Sequence, residues 1–403
     1  MHRLTVEGLR EKIKPAAVRD YLRFLQRHTH AHAETRLDGT TGLEIVIEQM
    51  QGIEAASASW EHEIFQSRMQ RYSGSDLDQL GQTGRIAWAR FSPMKSDKVS
   101  KNRLFSRTTP LAFAARSSLP WILPRARHCA KEALSPISAN LWTILETKGA
   151  LFFDEIVAAA KLLPTQAEDA LSELICMGFI QSDGFASMRP LINPDRKARS
   201  TVRSARNMRF VSDFRSGGRF APFAQFVEMA SDEQRVESWA WLLLKRYGVI
   251  FRDLLQRENL APTWGELVPM YRTLEARGLI RGGRFVEKVG GEQFALKESV
   301  DELRRVKELG AVDDMIVLSA ADPLNQMGIL TEDPKLAQKT GNRVAFMNGT
   351  YIAYRSSGEV HFLDESLSAE QHMRVERALR LNGLYRQLDP FVHDIGPANQ
   401  VQE

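Results

Sequence analysis

At 403 residues, 43% hydrophobic and 26% charged, the chain has the make-up of a folded protein with enough material for two to four compact units, which excludes general disorder. A formal net charge of +4 and a pI of 9.0 implicate an anionic partner only where the positive charge is concentrated. Cys129 and Cys176 lie far apart without a CxxC or a histidine pair, so neither a disulfide framework nor a zinc site is expected; with no apolar run near the ~20 residues of a membrane span, the expectation is a cytoplasmic protein without membrane contact.

The chain opens helically. Val18, Tyr21, Leu22 and Leu25 share one face over 16 to 27, and Leu43, Val46, Ile47 and Met50 repeat the spacing over 43 to 50. Further helices are expected at 59 to 71 and 75 to 82, then a strand over 84 to 91 with a partner at 111 to 115. Together these make residues 1–125 a helical unit with a first winged-helix candidate.

Residues 137–193 form a clearer candidate. Leu141, Ile144 and Leu145 are followed by Ile156, Val157 and Ala160, then by Ala167, Ala170, Leu171, Leu174 and Ile175, three amphipathic stripes in succession. Pro164 and Gly178 bracket the third helix, and extended runs at 179 to 181 and 185 to 188 flank a Ser182-Asp183-Gly184 turn as a wing. Residues 194–222 then read as a basic linker.

The chain is organised around 235–300. Val236, Trp239, Ala240, Leu243, Leu244 and Tyr247 make one helical stripe ending at Gly248, and a shorter helical pattern covers 249 to 255. Pro262 opens a third helix with Leu267, Met270, Tyr271 and Leu274 on one face. A wing follows, with a Gly282-Gly283 turn and a strand at Gln293-Phe294-Ala295-Leu296. Pro269 should distort the third helix, since proline removes a donor and crowds the preceding turn. Residues 310–385 contain short β runs around Asn348-Gly349 and Ser357-Gly358 turns, with a helix near 368 to 382, and 388–403 read as a mobile tail. The fold class is α+β: tandem winged helices followed by a small antiparallel β-rich, barrel-like domain.

In WAWLLLKRYGVIFRDLL (239 to 255), EARGLIRGGRF (275 to 285) and GGEQFAL (290 to 296), the chain resembles the C-terminal half of the bacterial large helicase-related (Lhr) family. The likeness extends to SAADPLN (319 to 325) and GNRV (341 to 344), and more loosely to 3–28 and 84–91. The resemblance implies a DNA-repair helicase context in which the motor lies N-terminal to the matched region. No GxxxxGK[ST] loop occurs, and Asp154-Glu155 does not complete a DExH box. The expectation is therefore an accessory half, detached, truncated or split from its motor, with no cofactor of its own; ATP and magnesium belong to a motor encoded elsewhere. Single-stranded or forked DNA, a separate motor chain and a second copy of the chain are the expected partners.

The third helix of the middle unit carries Glu168, Asp169 and Glu173 and no cation, so that unit reads as architectural. Positive charge collects instead in three sets: Lys95, Lys98, Lys101, Arg103 and Arg107; Arg196, Lys197, Arg199, Arg203, Arg206, Arg209, Arg215 and Arg219; and Arg277, Arg281, Arg284 and Lys288. Such sets hold a nucleic-acid backbone with salt-dependent affinity and little base specificity. Phe105, Phe210, Phe214 and Phe220 are stacking candidates, whereas Trp239, Trp241 and Trp264 belong to apolar patterns. His28, His30 and His32 alternate at a helix end without ligands to complete a metal set. Gln49-Met50-Gln51, followed by Glu54, is similar in setting to the glutamine-x-glutamine motif of AlkZ glycosylases, which are also tandem winged helices with a β-barrel. That likeness implies base excision with Gln49 and Gln51 positioning water, and a carboxylate such as Glu54 as base. A purely structural oligomerisation module is the remaining alternative.

Overall fold

A computed structural model of the chain describes residues 15–92, 104–124, 131–192, 218–223, 227–310 and 314–380. The first unit contains α1 (Val18–His28) and α2 (Gly39–Met50), which bury the stripes read from their spacing. After β1 (Ala55–Ala56) come consecutive helical pieces Ser57–Ser59, Trp60–Phe65 and Gln66–Arg68, the middle one a π-helix, then α3 (Gly74–Gln82). β2 (Ile86–Ala89) and β3 (Pro110–Ala115) pair antiparallel, with β1 on the other edge of β3.

Alternation along β2 and β3 divides the molecule. Ile86, Trp88, Leu111 and Phe113 point into a core shared with the middle unit, while Ala87, Ala89, Ala112 and Ala114 point into a second core shared with the units that follow. Successive strand residues face opposite sides, so one strand pair forms a wall between two cores.

The middle unit consists of α4 (Pro136–Lys148), β4 (Leu151–Phe152), α5 (Phe153–Ala160), α6 (Pro164–Cys176), β5 (Ile180–Ser182) and β6 (Arg219–Pro222), with sheet order β4-β6-β5. Two sequence expectations are corrected here. Residues 185 to 188 are not a wing strand, since Ala186–Met188 is a 3-10 turn. The missing strand is β6, which pairs Phe220 with both Leu151 and Ser182. Residues 219–222, expected as the end of a basic linker, therefore belong to the sheet of this unit, and the rest of that stretch, 193–217, lies outside the described residues.

The third unit starts with α7 (Asp232–Tyr247), capped by Ser231 Oγ accepting from the Gln234 N–H at 3.2 Å. Gly248 ends it at φ +65°, where a Cβ would also lie 2.4 Å from the Phe24 ring. The expected second helix is instead β7 (Val249–Ile250) followed by a 3-10 turn, Arg252–Arg257. α8 (Trp264–Ala276) runs unbroken through Pro269, which is exposed, so its missing donor and its ring face solvent. β8 (Arg281–Gly283) and β9 (Gln293–Ala295) complete a sheet of order β7-β9-β8. Gly282 and Gly283 are thus strand residues, and the turn is the longer 284–292 segment.

α9 (Lys297–Glu308) leads to an antiparallel meander of β10 (Met315–Ser319), β11 (Arg343–Met347), β12 (Thr350–Ser356) and β13 (Glu359–Phe362), covered by α10 (Ala369–Arg380). Among the described residues this sheet is open and does not close into a barrel. The 388–403 tail lies outside them.

Distant segments are joined by buried polar groups. Tyr21 Oη donates to the Val249 carbonyl at 2.9 Å, seating α1 on the third unit. Arg68 makes a two-pronged bond to Asp322 at 2.7 and 2.9 Å, and Arg343 reaches Glu63 at 3.3 Å. Arg257 donates to the Asn325 and Ala320 carbonyls at 2.7 and 3.1 Å. SAADPLN and GNRV are therefore joints clamping the C-terminal sheet to the first and third units. Removing one partner of such a pair strands a buried charge, a loss of ~3–5 kcal/mol.

Candidate nucleic-acid interface

The third helices of the two later units differ in access. In α6, residues 171 to 177 are all buried, and Ser172 Oγ accepts the Phe105 N–H at 2.8 Å, so the segment before β3 lies on this helix. Glu173, expected as an exposed acid, is 5% exposed and accepts from Ser135 Oγ at 2.6 Å and Ser138 Oγ at 2.7 Å. Those hydroxyls satisfy its charge at the start of α4. Asp169 is exposed and Glu168 half-buried.

α8 is open. Leu267, Tyr271 and Leu274 face the core, Tyr271 stacking on Phe294 at 5.1 Å and donating to the Ala240 carbonyl at 3.3 Å. Gly265, Glu266, Pro269, Arg272, Thr273 and Ala276 face solvent. Most of that face is short, leaving Arg272 as its long cationic reach. Glu266 is committed locally, since Thr263 donates to it from N at 2.8 Å and Oγ1 at 2.6 Å, which holds its carboxyl below the usual range.

Side chains fix the wing to this helix. Gly282 N–H donates to Glu275 Oε1 at 3.1 Å. Gln293, 1% exposed, accepts the Phe285 and Val286 N–H groups at 2.9 Å each and donates to the Val286 carbonyl at 2.9 Å. Ala16 adds a parallel bridge to Val286, with the Ala16 N–H to Phe285 carbonyl bond at 2.7 Å. The wing loop is a braced projection.

The sequence-predicted cations run from the C-cap of α8 (Arg277) through β8 (Arg281) onto this loop (Arg284 and Lys288). Arg277, Arg284 and Lys288 are exposed and Arg281 is half-buried, and none forms an ion pair with a described residue. Arg107 is exposed on the first unit, where its carbonyl accepts from Ala58. Arg219 is exposed but paired with Asp183 at 2.8 Å. Lys95, Lys98, Lys101 and Arg103, and Arg196, Lys197, Arg199, Arg203, Arg206, Arg209 and Arg215, lie outside the described residues, as do Phe210 and Phe214. Phe105 and Phe220 are buried, at 6% and 0% exposure, and do not offer a free ring face for stacking: each fills the core where its segment docks. By sequence the third helix is mixed, with Glu266 and Glu275 beside Arg272 and Arg277, and Arg272 stands outside the three basic sets although its spacing puts it on the exposed stripe of α8.

The Gln49/Gln51 region sits at the end of α2 against α7. Gln49 Nε2 donates to the His28 and Lys245 carbonyls, both at 3.1 Å, while its Oε1 has no hydrogen-bond partner among the described residues. Gln51 is buried, and its Oε1 accepts the Ala115 N–H at 3.3 Å. Both backbone carbonyls accept from Arg246, wholly buried and paired with Glu258. Glu54 accepts from the Phe91 and Ser92 N–H groups at 2.8 and 2.9 Å and from Ser92 Oγ, holding the exit of β2. His28 bonds the Lys245 carbonyl, His30 the Thr35 carbonyl, and His32 pairs with Asp314; no metal-holding cluster occurs among the described residues.

A groove of about 640 Å³ lies between Leu119, Pro222 and the 227–230 segment. Among the described residues no helix is long and apolar enough to cross a membrane.

Comparison with known proteins places these features. Residues 229–315 and 16–105 each match a winged-helix domain of the large helicase-related protein. An "Lhr helicase/ probable uracil glycosylase" of Mycolicibacterium smegmatis and an "Lhr helicase/uracil glycosylase" of Escherichia coli are each 26% identical to the chain, over 94% and 93% of its length. The chain spans about a quarter of these relatives, 26% and 27%. Among solved structures, the Streptomyces sahachiroi DNA glycosylase AlkZ matches with a TM-score of 0.51 at 12% identity, covering 92% of this chain and 97% of that one, a likeness of fold. The chain is thus similar over most of its length to a region of large helicase-related (Lhr) proteins, and residues 16–105 and 229–315 match that family's winged-helix domains.

Proposed function

We propose that the chain is an accessory DNA-binding module of Lhr type, which grips the backbone of single-stranded or forked DNA and serves a helicase motor. The observation that carries this reading is the contrast between the two third helices: α6 is covered, whereas α8 is open beside a braced wing, and the four cations from its C-cap through the wing form no ion pair among the described residues. Short residues on α8 bring a phosphate backbone close and offer few groups to read base edges, which favours affinity over sequence specificity. The wing set of Arg277, Arg281, Arg284 and Lys288 is the core of the contact. Arg107, Arg219 and the basic residues of 196–215 are further backbone contacts in this reading.

The test is DNA binding by fluorescence anisotropy across a salt series. Each lost phosphate contact lowers the log-log slope by roughly 0.7 on single strands and 0.9 on duplex, so Arg277→Ala/Arg284→Ala/Lys288→Ala should reduce it by about 2 to 3. An unchanged slope with weaker binding would place the contact elsewhere.

Base excision is a second reading, favoured by the glycosylase descriptions of both relatives and by the AlkZ-like fold. In it, Gln49 contributes through its Oε1, which has no partner among the described residues, with Gln51 beside it. Release of uracil from uracil-containing DNA, abolished by Gln49→Ala at unchanged melting temperature, supports this reading. Equal release by Gln49→Ala and wild type removes the residue from it.

A further inference from the structure

We propose that Glu292 is a phosphate surrogate on the α8–wing face: it holds Arg272 in the geometry that a DNA phosphate takes over, and so sets the affinity of that face. The inference rests on the reading of this face as the DNA-backbone contact and adds the residue that limits it.

Arg272 projects from the exposed stripe of α8, and its guanidinium meets Glu292 in a two-pronged bond, Nε to Oε1 at 3.0 Å and Nη2 to Oε2 at 2.9 Å. This planar fork is the arrangement by which arginine grips a phosphate through two of its oxygens, so a carboxylate here occupies the place of the ligand. Both side chains are open to water, at 62% and 45% exposure, so the pair can be parted without exposing a buried charge. The β8–β9 ladder ends at the Gly283–Gln293 pair, so Arg284 and Glu292 are the next residues beyond its two strands. Glu292 is thus bonded to one cation of the face and follows directly on the strand beside another, which has no ion pair among the described residues. While it stays, it neutralises Arg272 and repels an incoming phosphate; a bound phosphate replaces it and leaves the guanidinium fork filled.

The experiment compares wild type, Glu292→Gln, Arg272→Gln and the double variant, each as the full chain, binding labelled forked and single-stranded DNA from low to high salt. Glu292→Gln is expected to bind at least roughly threefold more tightly at low salt, since a like charge several ångströms from a phosphate is removed. Its slope should steepen by about one contact as Arg272 becomes free to serve one. Arg272→Gln should weaken binding, and in its background Glu292→Gln should gain less than it does alone. Matching melting curves confirm that these exposed changes leave the fold intact. If wild type binds with a salt slope that falls on loss of Arg277, Arg284 and Lys288, yet Glu292→Gln binds no more tightly, the surrogate role is overturned and the DNA face stands. If wild type shows no salt-dependent binding, the DNA face fails, and the surrogate role falls with it.

Discussion

Arg246→Met should be among the most destabilising single substitutions in this protein. Arg246 is 0% exposed; its Nε donates to the Gln49 carbonyl at 2.9 Å, its Nη2 to the Gln51 carbonyl, and its Nη1 to Glu258. Glu258 also accepts from Tyr247 Oη at 2.8 Å, and burial keeps that phenol protonated far above its usual range. Methionine fills much of the volume and forms none of these bonds. Removing one member of a buried ion pair costs ~3–5 kcal/mol, and each stranded carbonyl adds on the order of 1 kcal/mol that overlaps with it, so about 4 kcal/mol is expected. Urea unfolding followed by tryptophan fluorescence reads this directly, because Trp239 lies on the same helix with Trp121 edge-on at 5.9 Å. Arg246→Met/Glu258→Leu should recover part of the loss, as no uncompensated charge remains. A midpoint for Arg246→Met equivalent to within about 1 kcal/mol of wild type would refute the view that this arginine clamps α2 to α7.

Three other perturbations test the packing and charge assignments. Gly81→Ala places a Cβ 2.2 Å from the Asp183 carbonyl and should cost ~1–3 kcal/mol by forcing α3 away from the 183–184 turn, although alanine favours a helix; a gain in melting temperature contradicts the contact. Phe220→Ala should cost ~3–5 kcal/mol because the ring is wholly buried, whereas a stacking role would show as lost DNA affinity at normal stability. Burial lowers the His30 pKa in the folded chain, the Thr35 carbonyl opposing it. The unfolded chain then binds the extra proton, so stability falls as pH drops through about 6.5 and levels off below the folded pKa. His30→Asn, which suits the left-handed φ of +62°, should flatten stability against pH between about 7.5 and 5.5; an unchanged profile removes His30 as its source.

What the sequence by itself determined was local. The amphipathic stripes of α1, α2, α4, α6, α7 and α8 are spaced so that one face must be buried, and Gly248 and Gly278 end helices where a positive φ is required. The clustering of Arg277, Arg281, Arg284 and Lys288 within twelve positions was likewise legible, because it is a matter of sequence spacing alone. Tertiary structure decided the rest. Glu173 reads as a surface acid until Ser135 and Ser138 are brought onto it. The Gln-x-Gln segment reads as a free polar pair until Arg246, almost two hundred residues on, takes both its carbonyls. β6 cannot be seen from its neighbours, since its partners lie across the basic stretch and on the far side of two helices. The physical reason is common to these cases: periodicity reports which face of a segment is apolar, within a window of a few turns. Whether a charge is buried or exposed depends on groups that only the folded chain delivers, as with Arg68 and Asp322, which are 254 positions apart.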